Sequence, residues 1–271
     1  MLRVYTLDKE CRKKINRLFK DLKYKFPLRR VSTVELVTRN NINFPKVEPL
    51  IPSSPLEYRI IIPVKSFLSK GYEVIHEYFY VYLGDMYDLC LILGLGCGRG
   101  DCVLLRGFVF SFIQKQSSDF IVDYYALKLY PSYMKFFEHE VLVGIDLLKA
   151  ESNLFSYSEL WEGVKSRDVR AVGILLQPLN VLCGVFLLQM ITGKDYISRI
   201  RNTLIKSFMN RLSRCESRIG DEYSHAERLF ELLYSTLSTA VEMAKKNPIE
   251  TYEYLLKTLV KTFLNIEVKL E

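Results

Sequence analysis

Four glutamines, three histidines and one tryptophan are all that these residue types contribute to a chain of 271 residues. The histidines, His76, His139 and His225, lie far apart and at no recognised metal-ligand spacing. The six cysteines (Cys11, Cys90, Cys97, Cys102, Cys183 and Cys215) include no Cys-x-x-Cys pair. Zinc fingers and thioredoxin-like redox motifs are therefore excluded, and free buried thiols are expected. There is no Gly-x-Ser-x-Gly elbow, no phosphate-binding loop and no Cys–His pairing of the kind nucleophilic enzymes use. Internal repeats and low-complexity tracts are also missing. No catalytic residue, metal ligand or cofactor is assigned.

Long apolar segments are scarce too. The N-terminus carries charge early but no apolar stretch behind it, so no signal peptide is read. The one long uncharged run is 171–193, and Gln177, Pro178, Asn180 and Gln189 interrupt it. A buried strand or helix up to Pro178, followed by a buried helix, explains the run better than a membrane span. No membrane partner is expected, and the expected location is cytoplasmic. With 49% hydrophobic and 25% charged residues, the chain has the balance of a globular protein rather than a disordered one.

What is present in excess is positive charge, and it is unevenly placed. Residues 1–50 hold 13 Lys or Arg against 5 Asp or Glu, and residues 194–218 hold 7 against 2. The intervening and final segments are slightly acidic. Such asymmetry points to nucleic acid or an acidic protein surface as partner. In the first segment, residues 7–26 read as a helix with an apolar stripe of Cys11, Ile15, Leu18, Leu22 and Phe26. Arg12, Lys13, Arg17 and Lys20 fill its other sides, and Arg29 and Arg30 extend the basic surface. In the second segment, Arg211, Arg214 and Arg218 recur at i, i+3 and i+7 on one helical face. Together these nine residues are the expected nucleic-acid contacts, holding a phosphate backbone without reading sequence. The competing expectation is that acidic residues of the last segment, such as Glu222, Glu227 and Glu231, neutralise the second face.

The expected fold is α+β, with an antiparallel β-meander sheet, a C-terminal antiparallel helical bundle and the N-terminal basic helix. Residues 1–57 are read as the helix and a proline-punctuated arm, 58–193 as a β-rich domain, and 194–271 as the bundle. The meander comprises Tyr58–Val64, Tyr72–Leu83, Met86–Leu95, Cys102–Ile113 and Phe120–Leu129. Its supports are the alternation of His76, Tyr78, Tyr80 and Tyr82 with Ile75, Phe79, Val81 and Leu83, and a hairpin turn at Gly84-Asp85. Val141–Leu148 is read as a further strand, and Ser156–Val164 as a short helix. In the bundle, Asn247-Pro248 with Glu250 marks the start of the last helix, as N-cap, first helical position and N3.

The segment Leu93–Asp101 (LGLGCGRGD) resembles the glycine-rich loop of Rossmann-like methyltransferases, which wraps S-adenosylmethionine. The likeness covers nine residues, Leu93 stands where the family usually has an acidic residue, and a turn or bulge between two strands is the preferred account. Asp123, Glu140 and Asp146, with Lys128 or Lys149, offer the residue types of a nuclease site. Glutamine-poor, Lys- and Tyr-rich composition resembles that of proteins from hyperthermophilic archaea and their viruses. That likeness would place the protein in a host cytoplasm or a virion, and would favour a Cys97–Cys102 bridge. The leading expectation is a non-enzymatic binding or assembly protein acting through basic helices. The alternatives are a self-associating structural protein, expected as a homo-oligomer, and a nuclease or methyltransferase.

Overall fold

The computed structural model describes residues 2–5, 9–39, 46–49, 57–63, 72–87, 105–151, 169–212 and 219–264. In chain order the elements are β1 (Leu2–Tyr5), α1 (Lys9–Lys25), β2 (Thr33–Arg39), β3 (Lys46–Pro49), β4 (Glu57–Pro63), α2 (Tyr72–Tyr87), α3 (Leu105–Leu129), a 3-10 turn (Pro131–Tyr133), α4 (Met134–Glu151), α5 (Val169–Thr192), α6 (Ile197–Leu212), α7 (Ile219–Ala244) and α8 (Pro248–Leu264). They fall into two compact units. One comprises Met1–Cys97 with Leu129–Tyr133, the other Gly98–Lys128 with Met134–Glu271.

The first unit is a small mixed sheet with helices. Strand order is β1-β2-β4-β3. β1 and β4 both run parallel to β2, and only β3 is antiparallel to its neighbour β4. A parallel pair needs a crossover, and α1 supplies it between β1 and β2. Val34, Leu36, Tyr58, Ile60 and Ile62 alternate onto one buried face. On the opposite face the register aligns a row of alternating charge across all four strands: Arg3, Glu35, Arg59 and Glu48. Arg59 donates from Nε and Nη2 to Glu35 Oε2 at 3.2 and 2.9 Å, and its Nη1 lies 3.8 Å from Glu48. Glu35 is buried, so this pairing is what allows a carboxylate there. α1 packs against β1 and α2, and α2 against β4 and β3.

The second unit is helical. α4 and α5, α5 and α6, α6 and α7, and α7 and α8 pack in succession. Gly184 of α5 makes the first of these close, because a Cβ there would sit 2.9 Å from Val141 Cγ2 of α4. Gly193, at φ +69°, ends α5 in the left-handed conformation glycine favours, with its N–H donating to Gln189 O at 2.8 Å. Gln189 Oε1 then accepts from the N–H groups of Tyr196 and Ile197, at 3.1 and 3.0 Å, and caps α6. α8 starts as its residues suggest. Asn247 Oδ1 accepts from Ile249 N at 2.9 Å, Asn247 Nδ2 donates to Glu250 Oε1, and Pro248 is the first helical residue.

The sheet is therefore not an antiparallel meander. Of the five strands expected there, the first is found, as β4, and all of Met86–Leu95 but its first two residues lies outside the described residues. Residues 72–83 lie in α2, which runs through the expected hairpin turn at Gly84-Asp85. Residues 105–129 form one helix through the expected loop at 114–119, and residues 141–148 lie in α4. α2 and α3 are buried on nearly every side, so neither has the apolar stripe that marks a surface helix. Aromatic and β-branched residues buried on all faces suit a strand and a core helix equally well. β2 and β3 lie within the segment 27–57 read as an irregular arm.

The uncharged run is a single helix, α5, which continues through Pro178. An interior proline costs a helix about 3 kcal/mol. Burial of Leu176, Leu179, Leu182, Val185, Phe186 and Leu188 offsets it. α4, α6 and α7 surround this helix. Among the described residues, no helix is long and apolar enough to cross a membrane. The Gly-rich segment 94–101, residues 156–164 and five of the six cysteine side chains lie outside the described residues. Cys183 is free and fully enclosed, and burial pushes its thiol pKa up.

Candidate nucleic-acid interface

α1 presents its charges to solvent because its other side is committed to the core. Ile15, Phe19, Leu22 and Phe26 are buried, at i, i+4, i+7 and i+11. Phe19 takes the place expected of Leu18, which is only half-buried. The Phe19 ring meets Tyr78 of α2 edge-on at 5.2 Å, and the Phe26 ring lies 5.1 Å from that of Phe79. Tyr78 also donates to the Phe26 carbonyl at 2.6 Å, closing the end of α1 onto α2. The expected aromatic face of Tyr78, Tyr80 and Tyr82 is thus helical, with Tyr78 and Tyr80 buried and Tyr82 half-buried.

Arg12, Lys13, Lys14, Arg17, Lys20 and Lys23 are all exposed. Among the described residues none of them has an acidic partner. The one carboxylate between positions 12 and 25 is Asp21, and it is engaged. Lys25 Nζ donates to it at 3.0 Å and the Tyr130 hydroxyl at 2.9 Å. The Lys25 hydrogen bond, then that of Tyr130, lowers the Asp21 pKa below the ordinary carboxylate value. Between Arg12 and Lys23 the exposed charged side chains of α1 are therefore all cations.

Arg29 and Arg30 follow α1 but differ from its face. The N–H groups of Arg29, Arg30 and Val31 all donate to the carboxylate of Asp85, at 2.5, 2.7 and 2.8 Å. Three successive amides on one carboxylate form an anion cradle, filled by the chain's own buried Asp85. The Arg30 guanidinium turns onto the last turn of α2, donating from Nε and Nη2 to the Asp85 carbonyl at 3.0 and 2.7 Å. It satisfies carbonyls at a helix C-terminus, where a cation is favoured. The signal for this was Asp85 itself, a carboxylate in an otherwise apolar stretch.

The second basic element is arranged differently. Arg201 of α6 donates from Nη2 to Glu227 and Glu231 of α7, each at 2.8 Å, and its guanidinium lies 5.4 Å from the Phe230 ring. These carboxylates, Glu231 first, raise the Arg201 pKa. Arg199 and Lys206 are exposed. Arg211 is in the last turn of α6, while its side chain, Arg214 and Arg218 lie outside the described residues.

Among the described residues, no three His, Cys, Asp or Glu side chains gather as a metal site would require. Asp146 points to solvent and pairs with Lys149 of its own helix at 3.7 Å. Glu138 accepts a hydrogen bond from the Tyr196 hydroxyl at 2.7 Å, and His76 lies 3.4 Å from that of Tyr133. Compared with known protein families, curated proteins and solved structures, the chain finds no match.

Proposed function

We propose that this is a non-enzymatic binding or assembly protein that engages nucleic acid, or another acidic partner, through the outer face of α1. The observation that carries the reading is the set Arg12, Lys13, Arg17 and Lys20, exposed on one helix whose single described carboxylate pairs elsewhere. Cations without carboxylate neighbours are available to neutralise phosphates, and each phosphate contact releases counterions condensed on the nucleic acid. Filter binding of nucleic acid across a salt series tests this. Binding at low salt that falls linearly in log–log form as salt rises supports it. No binding at low salt, or affinity indifferent to salt, refutes it.

A homo-oligomer is the second reading. It is favoured by Leu142, Val143 and Leu147, three large apolar side chains exposed on α4. Light scattering of the full chain, with Leu147→Asp as comparison, should give a larger species for the parent than for the variant.

A further inference from the structure

Tyr24 is the most exposed of the large apolar side chains in the described residues, at 88%. Four other tyrosines are tied down by their hydroxyl groups. Tyr78 bonds to Phe26, Tyr130 to Asp21, Tyr125 to Ala244 and Tyr196 to Glu138. Tyr24 has no such bond and no ring contact among the described residues. Its place on α1 is specific. Residues 13, 17, 20 and 24 stand at i, i+4, i+7 and i+11, within an arc of roughly 60° and over roughly 16 Å of helix. Lys13, Arg17, Lys20 and Tyr24 therefore form one line, on the side away from Ile15, Phe19, Leu22 and Phe26.

We infer that the polyanion held by α1 is single-stranded nucleic acid, with Tyr24 as the platform on which a base stacks. The inference rests on the proposed function and narrows it. The three cations hold successive phosphates, and one turn beyond Lys20 the ring offers a free π-face. A duplex cannot use that face, because its bases are stacked on each other and present only their edges to a side chain. A single strand can splay a base onto it, and does so for any base, since every base has a π-face. An acidic protein surface would use the cations and leave the ring idle.

Fluorescence anisotropy on the full chain separates these cases, with labelled oligo(dT), a duplex of equal length and polyglutamate as probes. Oligo(dT) should bind tighter than the duplex. Tyr24→Ala should weaken oligo(dT) by about tenfold or more, with the slope against salt and the duplex affinity unchanged. Tyr24→Trp should restore oligo(dT) binding. Replacing Lys13, Arg17 and Lys20 by Ala should instead reduce the salt slope by about 2, from roughly 0.7 per phosphate of a single strand. Oligo(dT) affinity unchanged in Tyr24→Ala overturns the stacking platform but leaves the phosphate-holding face standing. Polyglutamate binding as tight as oligo(dT) overturns it in favour of an acidic protein. No nucleic acid bound at low salt removes the underlying reading as well. Tyr24 is solvent-exposed, so circular dichroism of the Ala variant should match the parent.

Discussion

The two basic helices differ in how much charge they carry, eight Lys or Arg in α1 against four in α6, and in what surrounds it. In α1 the cations point to solvent and the only described carboxylate nearby is turned to Lys25 and Tyr130. In α6 the central cation, Arg201, is bracketed by Glu227 and Glu231 and rests near Phe230. Net charge per segment cannot separate these cases, because it counts residues and not partners. A helix that packs one acidic neighbour along its length can lose its charge to that neighbour. A helix whose neighbours are a sheet and an aromatic helix keeps it. The contrast recurs within the first unit, where Arg30 and Arg59 are committed to internal acceptors and Lys13 and Arg17 are not.

The largest expected effect comes from the internal side of that contrast. Asp85→Ala removes the acceptor of three backbone N–H groups, those of Arg29, Arg30 and Val31. Loss of a buried, multiply hydrogen-bonded carboxylate should cost on the order of 3–5 kcal/mol, read from urea unfolding. A loss within error would show that the Arg29–Val31 turn does not depend on Asp85. Next comes the external side. Reversing Lys13, Arg17 and Lys20 to Glu should cut nucleic-acid affinity about tenfold or more and lower the salt slope by about 1 per residue, with unfolding unchanged. If that variant binds as the parent does, α1 is no different from α6.

Tyr78→Phe is smaller and sharpens how α1 is held in place. It leaves the Phe26 carbonyl without its donor, at a cost of about 1 kcal/mol. It also has a pH signature. Burial, with Tyr82 and Asp85 nearby, raises the Tyr78 pKa above its ordinary value of 10.0. The folded chain keeps a proton that the unfolded chain loses above about pH 10. That contribution to stability is complete below about pH 10 and declines as pH rises further. The Phe variant should lose stability less steeply than the parent between pH 9 and 11, on the order of one titrating group. Equal slopes would show that another tyrosine dominates the alkaline limb.

Which of these features could be read from residues alone follows from how each segment is buried. α1 and the last three helices each have one wet side, so a 3.6-residue period survives in the sequence. Asn247-Pro248 adds a capping signal that depends only on local chemistry. α2 and α3 read as strands because their buried surfaces are wide, and α4 does so because exposed Leu142, Val143 and Leu147 blur its stripe of Phe137, Val141, Ile145 and Leu148. Tyr78, Phe79, Tyr80 and Val81 are consecutive and all buried, which erases any period. The parallel pairing of β1, β2 and β4 depends on distant partners, Leu2 with Val34 and Val34 with Tyr58, which no local pattern encodes. At the candidate interface, the exposed cations were legible as a helical face. Arg30 was not, because its acceptors at Gly84 and Asp85 belong to a helix that the alternation of Tyr and apolar residues hid.

The smallest expected effect is the most direct probe of the contrast between α1 and α6. Arg201→Ala removes a guanidinium shared by two carboxylates, all three partly open to solvent. Exposed pairs gain little, because water and salt already screen them. The variant should unfold slightly earlier than the parent at low salt and together with it at high salt. Its effect on nucleic-acid affinity should be less than about twofold, since a cation already matched by Glu227 and Glu231 does little to neutralise a phosphate and so displaces few counterions from the nucleic acid. The slope against salt should stay that of the parent. An Arg201→Ala variant that lost affinity as steeply as the α1 reversal would show that carboxylate neighbours do not silence a cation here. The distinction between the two helices would then have to rest on something other than pairing.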